Sequence, residues 1–200
     1  VSNSTATVTI TSSGATLSGT SSTSMDAVAG VADFVGKGIK LTGATGSYTL
    51  TYASTGLTSD TQSITLTAGA AHHLTLITNA AGARSGQVFD TQPVVEVQDV
   101  SNNPVPSSGL LVGINGTGLS GTSRTADATT ARATFTDIKL TGTASVSGYT
   151  LTYYATGVTS ATQVLPLAAG NAAKLLLNVT SMNATNNVAF PTTTVVTVAD

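Results

Sequence analysis

The chain has 200 residues, 8% of them charged and 4% aromatic, with a formal net charge of −2 and no cysteine. Seven Lys and Arg against nine Asp and Glu make no basic face for nucleic acid, and no run reaches the roughly 18 apolar residues of a membrane-spanning helix. Without cysteine there is no disulfide, thiolate zinc site or cysteine nucleophile. Thr and Ser number 39 and 22, yet apolar residues alternate regularly and charge is low, which argues against disorder. Val1-Ser2-Asn3-Ser4 has neither the basic start nor the apolar stretch of a signal peptide.

Strand signals dominate, and no amphipathic helix emerges. In chain order, strands are predicted at 6–11, 31–41, 48–52, 60–67, 73–78, 93–99, 109–115, 131–140, 149–153, 161–167, 174–179 and 194–200. Tyr48, Leu50 and Tyr52 alternate with Thr49 and Thr51, and Tyr149, Leu151 and Tyr153 alternate with Thr150 and Thr152. Period two puts the large residues on one face and the wettable, β-branched threonines on the other. Gly82, Gly86, Asn102, Asn103, Pro104, Gly116 and Gly118 fall between strands and mark turns. About seven short strands per 100 residues predicts a two-sheet β-sandwich, with a barrel as the alternative.

The chain repeats itself. Ile39-Lys40-Leu41-Thr42-Gly43 recurs 99 residues on as Ile138-Lys139-Leu140-Thr141-Gly142, and Tyr48-Thr49-Leu50-Thr51-Tyr52 recurs 101 residues on at Tyr149–Tyr153. Phe89 pairs with Phe190, Phe34 with Phe135, and Val94-Val95 with Val195-Val196, so of nine aromatics only Tyr154 has no counterpart. Bulky residues kept at equivalent places imply one core used twice. The expected core is therefore Phe34, Tyr48, Leu50, Tyr52 and Phe89 with Phe135, Tyr149, Leu151, Tyr153 and Phe190.

The register of the repeat is cyclic. Val97-Gln98-Asp99-Val100-Ser101-Asn102 is matched by Val198-Ala199-Asp200 followed by Val1-Ser2-Asn3. One copy spans 70–169. The other is split into 170–200 and 1–69. This arrangement predicts one two-domain period of a longer tandem array, a subunit that exchanges strands with its neighbours, or a chain whose two end pieces close one domain.

Val97-Gln98-Asp99-Val100-Ser101-Asn102-Asn103-Pro104-Val105-Pro106 resembles the Asp-containing turn and Asn-Pro-Val of bacterial immunoglobulin-like repeats of the invasin and intimin type. Gly148–Tyr153 resembles their penultimate strand, and Ala68-Gly69 and Ala169-Gly170 resemble their domain junctions. The turn carries Asn102 where such repeats commonly have Gly, and the second copy lacks the Pro. The resemblance implies two all-β, immunoglobulin-like β-sandwich domains. It also implies a role in the stalks of large surface proteins.

Candidate chemistry is sparse. On a strand, His72 and His73 would point to opposite faces and chelate one metal poorly. Glu96 is the only glutamate and has Thr197 as its counterpart. An isopeptide bond using Lys139, an Asn and Glu96 as proton shuttle would therefore have no acid in the second copy. Asp99, Asn102 and Asn103 offer oxygen ligands for calcium, but calcium prefers several carboxylates, and Asp and Asn also cap turns. Asn3, Asn115, Asn178 and Asn183 head glycosylation-type sequons. No catalytic constellation and no cofactor site are expected.

The expected role is non-catalytic: a repeat unit of an extracellular filament, fibre or adhesin stalk at the cell surface. Its partners would be copies of itself and surface glycans. The alternative is a carbohydrate-binding or adhesive module of a secreted protein, with Tyr154 as its only candidate platform.

Overall fold

Alternating side chains set the longest strand. Over Ser145–Tyr154, Leu151 and Tyr153 are buried while Thr150 and Tyr154 are exposed, as in a strand with one covered face. A computed structural model describes residues 5–20, 22–106, 108–121, 123–127, 129–178, 182–190 and 194–200. Among the described residues there is no helix.

The strands are β1 (Thr7–Ser12), β2 (Thr16–Ser18), β3 (Ser24–Asp26), β4 (Lys40–Thr42), β5 (Gly46–Ala53), β6 (Asp60–Leu66), β7 (His73–Thr78), β8 (Val94–Gln98) and β9 (Leu111–Asn115). There follow β10 (Leu119–Ser120), β11 (Arg124–Thr125), β12 (Arg132–Thr134), β13 (Lys139–Leu140), β14 (Ser145–Tyr154), β15 (Ala161–Leu167), β16 (Lys174–Leu177) and β17 (Val196–Ala199). The protein is all-β, with several separate sheets.

The chain divides into two compact units: Val1–His73 with Val97–Ser108 and Ala128–Ala131, and Leu74–Glu96 with Gly109–Asp127 and Arg132–Asp200. This division does not follow the repeat boundaries at 69/70 and 169/170. The loop after β8 groups with residues 1–73 because its polar side chains bond to them, as described below.

In the first unit the sheet order is β3-β1-β5-β6, beside a β2-β4 ribbon. In the second unit β11-β9-β14-β15 form the matching sheet, beside a β10-β13 ribbon. The registers repeat as well. Tyr48 faces Ile64 and Tyr52 faces Asp60, as Tyr149 faces Leu165 and Tyr153 faces Ala161. Leu17 faces Leu41 as Leu119 faces Leu140. A further sheet has the order β12-β8-β7, and β16 and β17 form a two-stranded ribbon.

The best-covered core lies in the second unit. Phe135, Ile138, Leu140, Leu151, Tyr153 and Val95 are at most 1% exposed, and the Phe135 and Tyr153 rings meet at 6.2 Å and 60°. Phe89 is buried too. Tyr149 and its counterpart Tyr48 are only half-buried. Each keeps its hydroxyl at the surface, donating to Thr143 O and Ala44 O at 2.8 Å, the usual compromise of an amphipathic ring. In the first unit Leu50 is buried, whereas Phe34 and Tyr52 are half-buried. Phe190, expected in the core, is exposed.

Two predicted strands are interrupted. Of 31–41 only Lys40–Thr42 is a strand, and 131–140 splits into β12 and β13. The first turns ahead of β4, where Lys37 N–H donates to Phe34 O and Gly36 and Gly38 have φ of +74° and +62°; the second bends at Thr136 and Asp137, between β12 and β13, and Ala131, with φ of +59°, precedes β12. Such left-handed residues interrupt a ladder. One glycine is required inside a strand. The β14 register shifts between Ser145 and Tyr149, and Gly148 there has φ +77°, with a Cβ falling 2.8 Å from Leu165 O. That is a bulge only glycine fits.

Among the described residues two ion pairs occur: Arg124 with Asp137 at 2.9 Å and Arg132 with Glu96 at 2.8 Å. Glu96 is buried, and its carboxylate is engaged by Arg132 Nε.

Candidate functional site: a carboxylate clasp

The turn after β8 is built around Asp99. Asp99 N–H donates to Asn103 O and Asn102 N–H to Asp99 O. Asn102 takes φ +63°, a conformation that asparagine tolerates and most side chains do not. This explains how Asn replaces the expected Gly there.

The turn buries both Asp99 and Asn103. Asp99 Oδ1 accepts N–H bonds from Ser101 at 2.8 Å and Asn103 at 2.9 Å. Asp99 Oδ2 accepts from Gly69 N–H at 2.9 Å and from Asn103 Nδ2 at 3.0 Å. The Asn103 amide then reaches outward: Nδ2 donates to Gly43 O at 2.9 Å, and Oδ1 accepts from Thr45 N–H at 2.9 Å. Residues 99–103 are thereby fastened to 43–45 and to Gly69. In terms of the repeat, the turn belongs to 70–169 and its partners to 1–69.

Burial alone would push the Asp99 carboxyl up. The N–H of Gly69, the Asn103 side chain and backbone, and the N–H of Ser101 outweigh it, holding the carboxyl down to about 2 from an ordinary 3.8. The same bond recurs 101 residues on, where Gly170 N–H donates to Asp200 Oδ2 at 2.7 Å.

Of the three calcium candidates, Asp99 and Asn103 come together and Asn102 shapes the turn. The four N–H donors on Asp99 occupy the positions a cation would need. Among the described residues no cluster of three or more His, Asp or Glu could hold a metal. Millimolar calcium, or its removal by chelator, is expected to leave the thermal midpoint unchanged. A rise of several degrees on adding calcium would restore the ligand reading.

The histidines sit differently from expectation. β7 begins at His73, so His72 lies off the strand and donates its N–H to Gln98 O. The two rings meet edge-to-face, with Nδ1 atoms 3.2 Å apart. Tyr154 is exposed, but its ring covers Gly113, its cross-strand partner. A Cβ on Gly113 would lie 2.4 Å from Tyr154 Cζ.

Asn3 lies outside the described residues. Asn115 ends β9 and is exposed, as is Asn183. Asn178 is exposed as well, and its Oδ1 accepts from Val195 N–H at 2.7 Å. The sequence could show the Asp-turn but not Gly69, Gly43 or Thr45 as its partners. Those lie 30 to 60 residues away.

No family model matches the chain, and no curated protein matches it. Among solved structures it is similar to the apo structure of Bacteroides uniformis beta-glucuronidase 3, at 12% identity and a TM-score of 0.36. The likeness covers 82% of this chain and 21% of that one. The chain thus spans about a fifth of that protein's length, and a likeness this slight carries no argument about fold or function.

Proposed function

We propose that this chain is a non-catalytic repeat unit of an extracellular filament, fibre or adhesin stalk. Its two copies are immunoglobulin-like β-sandwich domains of the kind found in invasin- and intimin-type repeats. Residues 70–169 form one domain, and 170–200 and 1–69 are the parts of another. Its partners are further copies of the same unit.

The observation that carries this reading is the recurrence of the carboxylate–glycine bond, Asp99 to Gly69 and Asp200 to Gly170. A fastening repeated at constant sequence spacing, at each junction of a tandem repeat, is what a linear array needs to fix one unit against the next. The facing ring pair Phe135 and Tyr153, and the buried Val95 and Leu165 of two separate sheets, support the two-layer sandwich.

Electron microscopy of the native material tests it. Filaments with continuous density from Asp200 into Val1 of a following unit are expected. Discrete particles without axial repeat would overturn the filament reading.

A further inference from the structure

Residues 73–99 and 174–200 are the same stretch of the repeat, 101 residues apart. Both open in the same way: His72 N–H donates to Gln98 O, and Ala173 N–H to Ala199 O, each at 2.8 Å. In the second stretch Leu175 faces Val198 and Leu177 faces Val196, so four large apolar side chains share one face of a two-stranded ribbon.

The burial of the two stretches is opposite. Leu74, Phe89, Val95 and Val97 are at most 4% exposed, whereas Leu175, Phe190, Val196 and Val198 are 50–67% exposed. A contiguous apolar face of this kind marks an interaction surface.

The covered copy shows what such a face meets. Leu74 N–H donates to Thr159 O at 2.9 Å, Phe89 N–H to Ile138 O at 3.1 Å and Ser85 N–H to Ala168 O at 3.0 Å. Val88 bridges Lys139. The residues beneath, Ile138, Leu140, Leu165 and Leu167, are at most 3% exposed. Their counterparts by the repeat are Ile39, Leu41, Ile64 and Leu66. With Leu17 and Leu50, these four line an open groove of about 150 Å³, and Ile64 is 37% exposed where Leu165 is 3%.

We propose that the β16–β17 ribbon and Val188–Phe190 of one copy close over the groove lined by Ile39, Leu41, Ile64 and Leu66 of a second copy. The proposal rests on the filament reading and names its joint. In such a contact each copy gives a ribbon and receives one. That contact is heterologous and head-to-tail, and it propagates instead of closing on itself. It places Phe190 N–H on Ile39 O, Leu175 N–H on Thr58 O, and Ala189 beside Lys40.

The cysteine-free sequence makes the test direct. Partners across an antiparallel bridge lie within disulfide reach. The full chain carrying K40C and A189C is oxidised and run on a non-reducing gel, beside V88C/K139C as an intrachain reference. The expected result is that most K40C/A189C chains shift from monomer to a ladder of multimers, while V88C/K139C stays monomeric.

In parallel, Phe190→Asp, at a site exposed in the single copy, is expected to abolish association in light scattering without lowering the melting temperature. An intrachain K40C/A189C disulfide would overturn the proposal, since the ribbon would then close on its own chain. So would the absence of any link while V88C/K139C forms, or a Phe190→Asp variant that still associates. Filaments seen by microscopy with no K40C/A189C ladder would remove this joint and leave the filament reading standing.

Discussion

Replacing Tyr153 with alanine is expected to lower the unfolding free energy by about 3–5 kcal/mol, the cost of emptying a fully buried aromatic site. Tyr153 has no exposed surface, packs on Phe135, and directs its hydroxyl to Gln163 Oε1 at 3.3 Å. Gln163 in turn donates to Ala80 O and accepts from Ala80 N–H, so the ring and its polar end lie in one packed network. The internal control is Tyr52, at the matching register, whose hydroxyl meets Gln62 Oε1 at 2.7 Å. Tyr52 is half-buried, and Tyr52→Ala should cost clearly less. Guanidinium melts of both variants decide it, and a Tyr153→Ala loss below about 1 kcal/mol would mean the ring does not hold the core. Burial also pushes the Tyr153 hydroxyl well above its ordinary 10. The folded chain keeps that proton when the unfolded chain loses it, so stability falls as pH rises past 10.

The second large effect concerns Asp99. Asp99→Ala strands four N–H donors around a buried site and should cost about 2–4 kcal/mol, given roughly 1–3 kcal/mol for each buried group left unsatisfied and partial relief by water. The pH dependence has a definite sign. The folded carboxyl sits at about 2 against an ordinary 3.8. The stability it contributes is complete above the ordinary value and is lost as pH falls through about 2. Denaturant melts from pH 5 downward should therefore show a steep fall in the wild type and a shallower one in Asp99→Asn. Parallel slopes would show that the turn does not depend on the charge.

Much of the local structure was legible because it depends on neighbours in sequence. The alternation at Tyr149–Tyr153 gave β14 and its buried face, and the 99- and 101-residue offsets gave the repeated registers of β5-β6 and β14-β15. What failed was continuity: 31–41 reads as strand by composition, but Gly36 and Gly38 turn the chain. Burial could not be read either. Leu74 and Leu175, or Phe89 and Phe190, are identical in type and equivalent in the repeat, and their alternation with neighbours does not tell which has a facing sheet. The clasp was half legible. Asp99 and Asn103 announce a turn, while their partners at Gly69, Gly43 and Thr45 are set by tertiary approach, which no local pattern encodes.

The scarcity of ion pairs has a physical consequence. Among the described residues, cohesion rests on backbone ladders, side-chain hydrogen bonds and apolar contact, with two ion pairs. Mobile ions screen charge–charge attraction over a Debye length of about 8 Å at physiological strength, and here there is little for them to screen. Salts excluded from protein surfaces strengthen apolar burial instead. A fold held this way keeps its stability from dilute water to brine, where one cross-braced by charges would lose part of it.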